Sequence, residues 1–376
     1  MDNVRENTPY IVAVCGIKNS GKTTYTEGVI RVLKLMGYKV AAFKHDAHDF
    51  EPDVPGTDSW RFGQAGADSV IIYSGERYMI TQKTKETNPG DMLPFVQDHD
   101  IVIIEGGKQS PYPKIALVRE GIATEPFTRE ALLAVATNTS YKDPAVPTLD
   151  QDDFVAGAAL IAGKAGAPRN LIGKLFGSAA ILGGGQSSRM GFDKKLLQSG
   201  GQSLLENIAE RLSGRFDDVF VVSNDPLPEG VELEAVPDKI KGMGPPSGFH
   251  AALSRSRSRY VFLIACDMPH TDNDYIDLMM AKLSQRDGSS GYDALLTRQG
   301  DFFEPFHAFY GQTMLPGLAL NLLEGNSSVK KWLDAHNVCY VSEETAKKYT
   351  PDWKLFENLN TPEAYQGYLN SINSIK

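Results

Sequence analysis

Tyr10-Ile11-Val12-Ala13-Val14-Cys15 runs directly into Gly16-Ile17-Lys18-Asn19-Ser20-Gly21-Lys22-Thr23-Thr24. The apolar run reads as a buried strand, and the residues after it match G-x-x-x-x-G-K-[ST]. Val29, Val32, Leu33 and Met36 then recur at i, i+3, i+4 and i+7, one face of a helix that Gly37 closes. A strand, a glycine loop and a helix in that order make a phosphate cradle. The glycines let backbone N–H groups turn inward, and the helix N-terminus adds its partial positive charge. Gly16, Asn19, Ser20, Gly21, Lys22, Thr23 and Thr24 are therefore the candidate contacts. Lys22 is expected at the β- and γ-phosphates of a nucleotide, and the Thr23 hydroxyl on Mg²⁺. A chance glycine loop is the bland alternative, and the two flanking elements argue against it.

Outward from this loop, apolar runs alternate with helix-length segments. Lys39–Phe43, Ser69–Tyr73, Ile101–Ile104, Ile115–Val118 and Leu132–Thr137 read as strands, and Phe154–Ala162 as a helix. Such alternation implies βαβ units and a mostly parallel sheet covered on both faces. Ile101–Ile104 ends in Glu105, the pattern of an acid held near a nucleotide-bound metal; an ordinary capping acid is the alternative. Lys44-His45-Asp46-Ala47-His48-Asp49 gathers histidines and acids past a strand, and reads equally well as a metal site or as a solvated loop. Gly163–Gly177, rich in Gly, Lys and Arg, reads as a linker. Two α/β domains are thus expected: residues 1–165, a linker over 166–177, and residues 178–376.

The second half opens as the first does. Strand Ser178–Leu182 leads into Gly183-Gly184-Gly185-Gln186-Ser187-Ser188-Arg189-Met190-Gly191-Phe192-Asp193-Lys194. Three glycines let the backbone lie against a nucleotide without Cβ clashes. Arg189 and Lys194 bring cations that offset charge at a reacting phosphorus. The spacing is not that of a dinucleotide fingerprint. A helix carrying Leu204, Leu205, Ile208 and Leu212 follows, then strands Val219–Val222 and Tyr260–Ala265. The last of these runs into Cys266-Asp267-Met268-Pro269, which sets Asp267 at a strand's carboxyl end, where it can hold Mg²⁺. Taken alone, that tetrapeptide could be only a turn.

Composition narrows the class. The chain has 376 residues, 41% hydrophobic and 23% charged, with a net charge of −9. That balance suits a globular protein and argues against a general nucleic-acid surface. Its three cysteines, Cys15, Cys266 and Cys339, include no CxxC, which suits a reducing compartment without a disulfide framework or zinc site. The N-terminal MDNVRENTPY lacks an apolar signal core, and no apolar run approaches the roughly 18 residues of a membrane span. A cytoplasmic protein is expected, with no membrane partner.

GIKNSGKTT, FKHDAHDF, PGTDSWRFGQAGA and IIEGGK together resemble the molybdopterin-guanine dinucleotide biosynthesis protein B family over residues 8–165. That resemblance implies a P-loop NTPase-like three-layer domain that binds GTP and assists a guanylyltransferase. Gly107 departs from the family's bulky residue, and no NKxD motif reads guanine. LGGGQSSRMGFDKK, VVSNDP, Pro237-Asp238, GMGPPSG, CDMP, EPFHAFY and NLNTP resemble the molybdenum cofactor guanylyltransferase family, also called protein A, from Ser178 onward. This second resemblance implies a Rossmann-like nucleotidyltransferase fold, with GTP and molybdopterin as substrates and Mg²⁺ as cofactor. By matching motif, Leu182, Gly183 and Gly184 line the guanine and ribose, Lys194 meets the GTP phosphates, Asn224 and Asp238 the nucleoside, and Asp267 the Mg²⁺. Glu304–Tyr310 and Asn360 fall on the pterin side. Pro246 stands where the family usually has Leu. Molybdoenzyme apoproteins and cofactor-insertion proteins are the implied partners. A cytidylyltransferase for the same cofactor, or a GTP-switched carrier and scaffold, are the rival readings.

Overall fold

The computed structural model describes residues 8–45, 50, 52–84, 87–168, 174–183, 198–199, 202–284 and 291–373. Contacts group the chain into two units, residues 1–30 with 39–165, and residues 31–38 with 166–376. No helix among the described residues is long and apolar enough to cross a membrane.

In the first stretch, β1 (Tyr10–Cys15), α1 (Lys22–Leu35) and β2 (Val40–Lys44) precede α2 (Asp58–Gln64), β3 (Ser69–Tyr73) and β4 (Tyr78–Gln82). Then come β5 (Ile101–Glu105), β6 (Lys114–Val118), β7 (Leu132–Thr137), β8 (Thr148–Asp150) and α3 (Phe154–Ala165). Six strands form an all-parallel sheet in the order β2-β5-β1-β6-β7-β8. The four central strands, β5, β1, β6 and β7, carry continuous apolar runs because both faces are covered. β1 is flanked by β5 and β6, so three carboxyl ends open beside the glycine loop. Two helix glycines make room for aromatic rings: a Cβ on Gly28 would fall 2.3 Å from Phe154 Cγ, and one on Gly157 2.3 Å from Tyr25 Oη.

Ser69–Tyr73 is a strand but not part of the parallel sheet. It pairs antiparallel with β4 as a separate hairpin. The connection is only Ser74–Arg77, closed by the Ser74 N–H donating to the Arg77 carbonyl at 2.7 Å, and a turn that short permits only the antiparallel partner.

The second stretch holds β9 (Lys174–Leu182), a hairpin of β10 (Gln198–Ser199) and β11 (Gln202–Ser203), α4 (Leu204–Ser213), β12 (Asp218–Val222), β13 (Ala235–Val236), α5 (Pro245–Arg255) and β14 (Ser258–Ala265). It continues through α6 (Asn273–Ser284), β15 (Ala294–Gln299), β16 (Phe302–Gly311), α7 (Leu315–Leu323), α8 (Val329–Asp334), β17 (Val338–Val341), α9 (Glu343–Ala346) and α10 (Pro362–Asn373). The sheet order is β13-β12-β9-β14-β16-β15-β17. Its first four strands are parallel, but β16 runs antiparallel to both β14 and β15. The mostly parallel expectation therefore holds for this sheet too: among its described strands β16 alone runs against the rest, since β15 and β17 share the direction of β14. Gly300-Asp301 joins β15 to β16, with Gly300 at φ 57, and a two-residue turn makes a hairpin.

Alternate residues of β9 face opposite cores. Ala179 and Ile181 lie with α4 and α6, through Leu204, Ile208, Tyr275 and Met279. Ala180 and Leu182 lie with α5, α7 and α8, through Phe249, Leu318 and Trp332. Ser203 caps α4, and Glu206 returns the bond to the Ser203 N–H at 2.8 Å.

Regular structure reaches into Gly163–Gly177 from both ends. α3 continues to Ala165, and β9 starts at Lys174. Lys174 and Phe176 pair with Ser258 and Tyr260, and the register shifts before Ser178, leaving Gly177 as the irregular residue. A glycine at a bulge looks, in composition, like a glycine in a linker.

Candidate functional site

Glu105 is the last residue of β5, and its register partner on β1 is Val14. That pairing carries its carboxylate to the phosphate loop, where the Thr23 hydroxyl donates to Glu105 Oε1 at 2.9 Å. The loop needs left-handed backbone at Asn19 (φ 65) and Gly21 (φ 91). Gly16 is required by closeness, since its Cβ would sit 2.3 Å from Ser20 Oγ. That hydroxyl is buried without a hydrogen-bond partner among the described residues. Lys22 donates to the Ile17 carbonyl at 2.8 Å, and burial holds its ammonium below the usual lysine range while Glu105 opposes the shift. Asn19, Gly21, Lys22, Thr23, Thr24, Glu105 and Arg119 line a concavity of about 330 Å³.

Two side chains at this loop carry no local motif. Arg119 follows β6 and donates to the Asn19 carbonyl at 3.5 Å. Gln151 follows β8 and donates to the Ser20 carbonyl at 3.2 Å. Their signal in the sequence is only position, a polar residue just past a strand. Lys108, beside the unusual Gly107, lies 3.9 Å above the Phe127 ring.

In the second sheet, β9, β12 and β14 bring their carboxyl ends together. The Gly183 N–H donates to the Val222 carbonyl at 2.9 Å, and the Cys266 N–H to the Leu182 carbonyl at 3.1 Å. Asn224 and Asp238 bind each other reciprocally: Asn224 Nδ2 donates to Asp238 Oδ2 at 2.7 Å, and the Asp238 N–H to Asn224 Oδ1 at 3.0 Å. Burial lifts the Asp238 carboxyl above the usual range, and the Asn224 hydrogen bond opposes it. Asp267 is only 5% exposed. Its carbonyl accepts the Leu359 N–H at 2.8 Å, which brings the Asn358-Leu359-Asn360 segment to the same place.

β16 bulges where it meets this corner: Leu295 pairs with Phe309, but Thr297 with Glu304. Glu304 Oε1 accepts the Phe306 N–H at 3.0 Å. Burial, with the charge of Asp267 adding to it, pushes the Glu304 carboxyl up to about 7. His307 is packed rather than exposed to substrate. It is fully buried at φ 54, among Phe262, Tyr275 and Phe356, and neither ring nitrogen has a hydrogen-bond partner among the described residues. Pro246 is buried near the start of α5, where a missing N–H costs nothing. Gly184, Arg189 and Lys194, and Asp46, His48 and Asp49, lie outside the described residues.

Both sites offer oxygen donors. No cluster of three or more His, Cys, Asp or Glu side chains suited to a metal occurs among the described residues. A hydroxyl with one carboxylate, or one or two carboxylates alone, suits Mg²⁺, which takes its other ligands from phosphates and water. The residues fit that ion in each place.

A P-loop unit followed by a nucleotidyltransferase-type unit is the class that this fold and these two sites define. Residues 11–138 match the family described as molybdopterin guanine dinucleotide synthesis protein B, and residues 179–339 the MobA-like NTP transferase domain. The molybdenum cofactor guanylyltransferase of Syntrophotalea carbinolica is 42% identical over 192 residues, covering 51% of this chain and 90% of that protein. The molybdopterin-guanine dinucleotide biosynthesis adapter protein of Haemophilus influenzae is 38% identical over 133 residues, 34% of this chain and 74% of that protein. The chain belongs to the molybdenum cofactor guanylyltransferase family, with a protein B family unit ahead of the transferase.

Proposed function

We propose that the second unit transfers GMP from GTP to molybdopterin, molybdenum-loaded or not, giving molybdopterin guanine dinucleotide and pyrophosphate, while the first unit binds GTP as an adapter. The observation that carries this reading is the corner where Gly183, the Asn224–Asp238 pair and Asp267 converge. A phosphate oxygen of the pterin attacks the α-phosphorus of GTP. The new P–O bond forms as the bond to pyrophosphate breaks, and the electron pair leaves with pyrophosphate. That oxygen is already anionic at neutral pH, so no protein base is needed; position and charge neutralisation suffice. Mg²⁺ bound at Asp267 would neutralise phosphate charge and orient the displacement. Asn224 and Asp238 hold the nucleoside, and Arg189 and Lys194 meet the phosphates. Molybdoenzyme apoproteins and cofactor-insertion proteins are the partners this reading gives the adapter unit. The test is pyrophosphate release by the full chain with molybdopterin and either GTP or CTP. Release with GTP and not CTP is expected. Release with CTP alone, or none with either nucleotide, would overturn the reading.

A further inference from the structure

β5 and β6 flank β1 on opposite sides, so their carboxyl ends deliver two side chains to the phosphate loop from opposite directions. Glu105 comes from one side and is engaged by Thr23. Arg119 comes from the other, and its backbone is fixed: its carbonyl accepts the N–H groups of Ile122 at 3.0 Å and Ala123 at 2.9 Å. The next residue is tied down too, the Glu120 N–H donating to Asn138 Oδ1 at 2.9 Å. The head group is differently placed. It is exposed, forms no ion pair among the described residues, and spends one donor, at 3.5 Å, on the Asn19 carbonyl. A guanidinium has five donors in a planar fork that matches phosphate oxygens. Arg119 lines the same concavity as Lys22 and Thr23, and a Cβ on Gly21 would lie 3.8 Å from its Nη1.

We infer that Arg119 is a phosphate-binding residue of the first unit, moving from the Asn19 carbonyl onto the polyphosphate of a bound nucleoside triphosphate, on the side away from Thr23 and Glu105. Gln151 is its fixed counterpart. It is buried, its Nε2 holds the adjoining Ser20 carbonyl, and it fills the space a Gly21 side chain would need, 2.5 Å from that Cβ position. Gln151 positions the loop; Arg119, with a rigid base and a loosely held head, is built to change partners. The inference rests on the first unit binding GTP.

Equilibrium binding of GTP to the full chain tests it, with Lys22→Ala marking which class of site belongs to the first unit. Arg119→Gln keeps a donor for the Asn19 carbonyl and loses the charge, whereas Arg119→Lys keeps the charge. If Arg119 binds phosphate, Arg119→Gln weakens the Lys22-dependent class by about ten- to a hundredfold, the loss of one or two charge-assisted hydrogen bonds. Arg119→Lys is expected to recover part of that loss, and added guanidinium to recover part of it for Arg119→Gln. Wild-type affinity in Arg119→Gln, with Lys22→Ala still defective, would overturn the inference and leave Arg119 a brace for Asn19. Absence of any Lys22-dependent class would overturn the GTP reading of the unit itself, and the inference with it.

Discussion

A carboxylate at the carboxyl end of a buried parallel strand recurs in both units, as Glu105 after Ile101–Ile104 and as Asp267 just past β14. Both were legible in the sequence, because an apolar run ending in an acid is a local pattern. The neighbours of those acids were not. That Arg119 shares a hollow with Lys22, or that Glu304 feels the charge of Asp267, depends on β6 lying beside β1 and β16 beside β14. Asp267→Asn removes one charge and little volume, so dinucleotide formation is expected to fall by about 10²–10³-fold, a loss comparable to that of a preorganised electrostatic contact. Circular dichroism and GTP binding at the first unit are expected to be unchanged, and near wild-type transfer in Mg²⁺ would refute the role. His307 gives a pH dependence. Burial pushes its imidazole from 6.5 down to about 4. Between those values the unfolded chain holds a proton that the folded chain refuses, so the stability His307 contributes is present above 6.5 and is lost as pH falls toward 4. The loss is on the order of 3 kcal/mol. Denaturant melts from pH 6.5 to 4.5 are expected to show a shallower decline for His307→Phe than for the wild type.

At the scale of elements, apolar strands were readable, even the exposed Ser69–Tyr73, as were the helices α1, α3 and α4, whereas α2, α5–α10 and several short strands were not. β4 and β8 are partly polar, β13 and β17 are only two and four residues long, and the place of all four comes from pairing. The antiparallel β15–β16 pair is marked in the sequence only by the Gly300-Asp301 turn. Close helix contact is also invisible to periodicity. Replacing a mid-helix glycine by alanine usually gains about 1 kcal/mol of helix propensity. Gly28 should behave oppositely, because the added Cβ would meet Phe154 ring atoms at 2.3, 2.5 and 2.6 Å. Overpacking of that kind costs typically ~1–3 kcal/mol. Gly28→Ala is thus expected to lower the melting temperature. Adding Phe154→Leu is expected to return part of the loss, since neighbouring sites couple. A Gly28→Ala protein more stable than wild type would show that α1 and α3 do not meet as described.

For the whole molecule, the question is whether two phosphate sites make one machine or two. In the sequence each unit has its own strand, glycine run and lysine, Lys22 in the first and Lys194 in the second, and each sheet carries its own acid, Glu105 or Asp267. If the first unit is an adapter, Lys22→Ala weakens its GTP binding and leaves transfer by the purified full chain within about threefold of wild type, because no transfer step uses that cation. Lys194→Ala does the reverse, removing charge stabilisation of about 2–4 kcal/mol from the transfer site while Lys22-dependent GTP binding persists. The measurement is dinucleotide formation by each variant at saturating GTP, molybdopterin and Mg²⁺, followed by the same variants in an assay where an apo-molybdoenzyme must receive the product. Lys22→Ala is expected to fail only in the second assay. Were it to abolish dinucleotide formation as fully as Lys194→Ala, nucleotide occupancy of the first site would be a condition for chemistry in the second, and the division between adapter and transferase would be wrong.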